Sequence, residues 1–143
     1  MGPEAVFSEL EGIDWSTELV LLPQLLRDRG LLLRACKPLR ESGELHEFLL
    51  AGSSEEEGGE RLSLFWIRGP FATGPRFYPG GVRADYGKKV WCLAGECEVS
   101  GCRSPHRIGA GQVVEYPRDI CHRVNVPQRW TALVHEPHGS RAV

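Results

Sequence analysis

His122 closes the stretch GQVVEYPRDICH, residues 111–122. Pro117 and Asp119 turn the chain just before it. Alternation from Ile120 then puts Ile120, His122 and Val124 on one face, and Cys121, Arg123 and Asn125 on the other. The apolar neighbours mark the His122 face as the buried one. Three roles are open to an imidazole there: metal ligand, acid/base group titrating near neutrality, or hydrogen-bonded interior side chain. In the run KKVWCLAG the same alternation puts Lys88, Val90 and Cys92 on one face. The stretch FATGPRFYPGGVRADYGKK gathers Arg76, Tyr78, Arg83, Asp85, Tyr86, Lys88 and Lys89. Its plain reading is a solvated loop. Its functional reading is a mouth whose Arg and Lys donors take a small anion, with His122 and Tyr78 or Asp85 as the groups an acid/base reaction needs.

The elements that must position these residues read as strands. RLSLFWIRG, residues 61–69, alternates and is rich in large apolar side chains. KKVWCLAG is expected to stop at Gly95, with ECEVSG continuing after a turn. QVVEYP, ICHRVNVP and WTALVHEP follow at intervals of about ten residues, the rhythm of a sandwich or small barrel. Upstream, LLLRACKPL and ELHEFLLAG read as further strands. DWSTELVLLPQLLRDRG reads as one short helix or two turns, with Asp14 or Ser16 as N-cap, a kink or stop at Pro23, and an end at Gly30. SSEEEGGE is a charged hairpin tip, PFATGPRFYPGG a long connection, and HRIGAG a bend with His106 in a turn. His135 and His138 are assigned to a fraying C-terminal tail.

Composition narrows the classes. The 143 residues suit one domain with one core; they are 41% hydrophobic and 25% charged, with a net charge of −2. That balance gives no basic footprint for nucleic acid. The longest apolar segment, LVLLPQLL, is too short to span a bilayer, and MGPEAVFSELEG lacks the basic start of a secretory signal. The five cysteines, an odd number, are expected to be reduced thiols in a cytoplasmic setting. They form no CxxC pair, so no zinc ribbon or finger is expected. Cys92, Cys97 and Cys102 recur every fifth residue, a spacing that does not keep one face of a strand.

Gly111, Pro117 and His122 stand at the spacing G-x5-P-x-G-x2-H, with Asp119 in place of the second glycine and Asn125 one position ahead of a final Asn. On these residues the region 61–137 resembles the cupin superfamily. The resemblance implies an all-β, antiparallel jelly-roll barrel, here with outer strands from residues 31–52 and a short helical N-terminal segment. It also implies a ligand-binding interior for carboxylates, sugars or amino-acid-like molecules. The superfamily's first motif, G-x5-H-x-H-x3-4-E-x6-G, departs: aligned on Gly95, Lys88 takes the glutamate position and GVRA the two histidine positions. Three of the four usual metal ligands are therefore missing. Fe, Mn or Ni needs several imidazoles and a carboxylate around one point, and a Cys92/His122 pair is too few. A buried His122 beside Lys88 is expected to stay neutral, a donor and acceptor for a ligand.

The resulting expectation is a cupin-like protein that binds a small organic ligand through His122, Lys88, Cys92, Tyr78, Arg83 and Asp85, with no cofactor or metal and with acid/base turnover left open. The alternatives are a non-enzymatic regulatory or interaction module of the same fold, and a metal-dependent dioxygenase-type cupin. If Lys88 faces inward, Trp91 faces outward, onto a face that packs on a partner or on the N-terminal segment, and with the surplus of Trp and Leu the expectation is a homodimer formed partly by strands of the N-terminal half.

Overall fold

The run RLSLFWIR sorts the molecule into an inside and an outside. In the computed structural model, which describes residues 2–16, 18–52, 59–79, 86–101 and 105–143, Arg61, Phe65 and Ile67 border an interior cavity. Leu62, Leu64 and Trp66 pack on the opposite side, under the helices. The strands are β1 (Arg34–Ala35), β2 (Leu39–Arg40), β3 (Glu44–Gly52), β4 (Arg61–Arg68), β5 (Phe71–Ala72), β6 (Arg76–Tyr78), β7 (Lys88–Ser100), β8 (His106–Gly109), β9 (Val113–Tyr116), β10 (Ile120–Val126), β11 (Arg129–Glu136) and β12 (Arg141–Ala142). They pair antiparallel in the order β1-β3-β4-β11-β7-β10-β6-β12, with β2 on β3, β5 on β10, and both β8 and β9 on β7. The sheet curls into a half-barrel, the all-β jelly-roll architecture that the family resemblance implied.

Two apolar layers hold it. The inner one includes Ile67, Phe71, Val90, Cys97, Val124 and Trp130. The outer one joins Leu62, Leu64, Trp91 and Leu133 of the sheet to Val6, Leu10, Leu22 and Leu26 of two helices, α1 (Pro3–Glu11) and α2 (Leu22–Asp28). Trp91 is 1% exposed and stacks on Phe7 at 6.0 Å between ring centroids. Lys89 beside it donates to Glu4 at 2.9 Å and pairs with Glu115 at 3.2 Å, tying α1 to β7 and β9. The chain's own helices thus cover the outer face that suggested a partner.

Gly95 does not end a strand. β7 runs through it, with Gly95 at φ +71°, and its register on β11 shifts at Leu93, between Thr131 and Ala132. The bulge changes the parity of the strand. Lys88, Val90 and Cys92 face inward before it, Cys97 and Val99 after it. Cys92 and Cys97 therefore share the interior despite their five-residue spacing.

Several local expectations are corrected. The predicted helix over residues 14–30 is a 3-10 turn at Leu19–Leu21 followed by α2, and α1 lies ahead of it. Pro23 sits in the first turn of α2, where its missing N–H would have no partner anyway. Asp14 and Ser16 cap no helix; the Asp14 carboxylate accepts from the Ser16 backbone N–H at 3.0 Å and its hydroxyl at 2.7 Å. Residues 31–39 give two-residue strands rather than one strand, the 70–81 connection includes β5 and β6, and His106 opens β8. His135 is no tail: it lies in β11, 7% exposed, and its Nδ1 shares a hydrogen bond of 2.7 Å with the Tyr86 hydroxyl. The hairpin tip at 53–58 and Cys102 lie outside the described residues. No helix is long and apolar enough to cross a membrane.

Candidate functional site

A polar row crosses the inner face of the barrel where four strands lie side by side. Arg61 of β4 pairs in register with Glu136 of β11. The next strand, β7, begins with inward-facing Lys88, which pairs in register with Tyr116 of β9. Arg61 Nε and Nη2 both reach Glu136 Oε2, at 2.7 and 2.6 Å, and both residues are buried. Glu47 of β3 lies 3.7 Å from Arg61 Nε and accepts from the Ser63 hydroxyl at 2.5 Å.

Lys88 is 5% exposed. Its Nζ donates to the Tyr78 hydroxyl at 3.2 Å and to His122 Nε2 at 3.1 Å, and it stands 4.8 Å from the centre of the Tyr78 ring. Among the described residues no carboxylate reaches it within ion-pair distance, and its two hydrogen-bond partners are neutral. An ammonium brings three protons; two have partners here.

His122 is 1% exposed. Its ring lies between Tyr78 and Tyr116, 4.6 Å from each, and Tyr116 passes on to His106 Nε2 at 2.6 Å. Burial first, then the Lys88 charge, lowers its pKa from 6.5 to about 3. With Nε2 accepting from Lys88, the neutral ring carries its proton on Nδ1. The sign of the pH effect follows. Below pH 6.5 the unfolded chain takes up a proton on His122 that the folded chain refuses, so stability falls with falling pH until the folded-state value is passed. Between pH 7 and 5 this group is expected to remove about 2 kcal/mol, because each pH unit below the unfolded-state value costs about 1.4 kcal/mol. His122→Phe keeps an aromatic ring between the tyrosines and should lose that much less in urea unfolding over the same interval. Equal losses would show that the folded chain protonates His122.

The cavity measures about 880 Å³, within the range of small-molecule pockets. Tyr78 and Lys88 line it, together with Arg61, Glu47 and Glu136. His122 and Cys92 are not among the lining residues: Lys88 Nζ stands against the imidazole, and the Cys92 thiol is directed at the Ala94 and Gly95 carbonyls. Of the residues expected to contact a ligand, Lys88 and Tyr78 are the described ones that line this cavity. Arg83 and Asp85 lie outside the described residues. Tyr86 joins His135 on the other face of β11. Arg34, Lys37 and Arg76 also border the cavity; Arg76 donates to Ser140 Oγ at 2.9 Å.

Missed in the sequence were the Arg61–Glu136–Glu47 cluster and Tyr116. Arg61 and Glu136 were accessible in part, since each falls on the inward phase of its own strand's alternation. Their pairing was not, with 75 residues between them.

The residues do not fit a metal ion. Lys88 Nζ, 3.1 Å away, occupies the Nε2 side of the His122 imidazole. Burial raises the thiol of Cys92 and pushes that of Cys97 up to about 12. Among the described residues no three His, Cys, Asp or Glu side chains gather as a metal site would need.

No protein-family model matches the chain, and no curated protein matches it by sequence. Solved structures match it by fold. A cupin superfamily protein from Desulfitobacterium hafniense is 16% identical over 70% of this chain and 83% of that one, with a TM-score of 0.56. A cupin-like protein from Thermotoga maritima is 10% identical over 78% and 86%, with a TM-score of 0.59. A DMSP lyase from Ruegeria pomeroyi is 17% identical over 69% of this chain and 51% of that one, with a TM-score of 0.53. At such identities the likeness is one of fold, and the fold is the cupin jelly roll.

Proposed function

We propose that this cupin-fold chain holds a small organic carboxylate inside its barrel, with Lys88 as the anchor in place of a metal. The supporting observation is a lysine that is buried, borders the cavity and, among the described residues, is held by the neutral groups of Tyr78 and His122. A buried charge calls for a counter-charge, and a bound carboxylate supplies it with a charge-assisted hydrogen bond from the remaining ammonium proton. Tyr78 and neutral His122 fix where Nζ points. Arg34, Lys37 and Arg76 bias the entrance towards anions. His122 stands outside the cavity lining, which favours binding over acid/base turnover by its imidazole, and so a binding or regulatory protein over an isomerase.

Isothermal titration with phenylacetate tests this reading. The wild-type chain is expected to bind, more weakly at high salt. Lys88→Met, whose side chain has a similar length and no charge, should bind about 10- to 100-fold more weakly, from about 1.5–3 kcal/mol for a hydrogen bond to a charged group. Equal affinity in a variant that unfolds like the wild type in urea would refute the assignment of Lys88.

A further inference from the structure

The wall of the cavity changes character along the strands. On β4 the inward residues run Arg61, Ser63, Phe65, Ile67, and their partners on β11 run Glu136, Val134, Ala132, Trp130. Both strands pass from charged to apolar in step, over about 20 Å at roughly 3.3 Å per residue. Of the inward β7 row Lys88, Val90 and Cys92, only Lys88 lines the cavity. On β3, Leu45 lies opposite Ile67, and Phe71 and Val124 also line the cavity. Glu47 lies opposite Phe65 in register, but its carboxylate turns to the charged end, where it accepts from Ser63 and faces Arg61.

From this gradient we infer that the ligand is an amphipathic monocarboxylate, with an alkyl or aryl tail that lies along Phe65, Ile67, Phe71 and Trp130 while its carboxylate meets Lys88. The inference rests on the reading of Lys88 as the carboxylate anchor and adds the chemical class of the remainder of the molecule. A sugar would leave its hydroxyls against Phe65, Ile67 and Phe71, which cannot hydrogen-bond them, at the cost of desolvation. A second carboxylate beside the first would meet Glu47 and Glu136. The cavity, about 880 Å³, leaves most of its volume empty around a molecule the size of acetate and has room for a tail.

A titration series on the wild-type chain separates the anchor from the tail. Acetate, butanoate, hexanoate and octanoate are expected to bind with Kd falling about fourfold per methylene, the equivalent of about 0.8 kcal/mol for each CH2 buried. Succinate should bind more weakly than butanoate, and hexan-1-ol more weakly than hexanoate. Ile67→Thr should flatten the dependence on chain length. A flat series, or succinate binding as tightly as octanoate, would overturn the tail and leave the Lys88 anchor in place. Hexan-1-ol binding as tightly as hexanoate, or no binding by any carboxylate, would overturn the anchor and the tail together.

Discussion

Glu136→Gln is expected to lower folding stability by about 3 kcal/mol, the lower end of the range for removing one partner of a buried ion pair. The substitution keeps shape and hydrogen-bonding capacity and removes only the charge. It removes the nearer of the carboxylate charges that face the Arg61 guanidinium, which reaches Glu136 through two nitrogens at 2.7 and 2.6 Å in a buried setting. Glu47, at 3.7 Å from Arg61 Nε, shares in compensating that charge, which is why the lower end applies. Replacing both Arg61 and Glu136 by leucine is expected to restore most of the loss, because desolvation of the pair cancels much of its attraction. Urea unfolding of the single and double variants measures both. A single-variant loss under about 1 kcal/mol, typical of surface pairs, would mean that water reaches the pair.

Trp91→Ala is expected to cost about 3–5 kcal/mol, as for other buried aromatic truncations. Trp91 is 1% exposed and is the largest side chain between the sheet and α1, where it stacks on Phe7 and lies under Lys89 at 5.0 Å. Its loss should also release α1, read as faster proteolysis within residues 3–11 in the variant under native conditions. Lys89→Ala removes only the tie to Glu4 and Glu115, and should cost about 1 kcal/mol or less. If the two variants lost the same stability, the helix would be held by its charges and not by apolar packing.

Much of this architecture was legible because strand alternation is a local property. The inward phase of Ile120, His122 and Val124, and that of Lys88, Val90 and Cys92, needed only their own segments. So did the turn before β10, where Asp119 adopts φ +61°, and Gly111 at φ +86°. Other features depend on more than one segment. The bulge at Leu93 is set by β11, so nothing within KKVWCLAGECEVS announces that Cys97 returns to the face of Cys92. Arg61 and Glu136 meet only because β4 and β11 are neighbours. The first helix was missed because its buried residues are few, Val6 and Leu10, and the second was misplaced because Pro23 was treated as an obstacle when it marks a start. The cavity itself was out of reach for the same reason as the Arg61–Glu136 pair. That Lys88 stands in front of His122 is a matter of side-chain length and rotamer inside the barrel, which alternation does not encode.

The central claim is that Lys88 meets the carboxylate of a ligand within the barrel. The most direct measurement is a crystal structure of the protein grown with octanoate. The expected result is a carboxylate oxygen about 2.8 Å from Lys88 Nζ, with the alkyl chain running past Phe65 and Ile67 towards Trp130. A carboxylate held at Arg34 or Lys37 on the rim, with Lys88 still bound only to Tyr78 and His122, would contradict it.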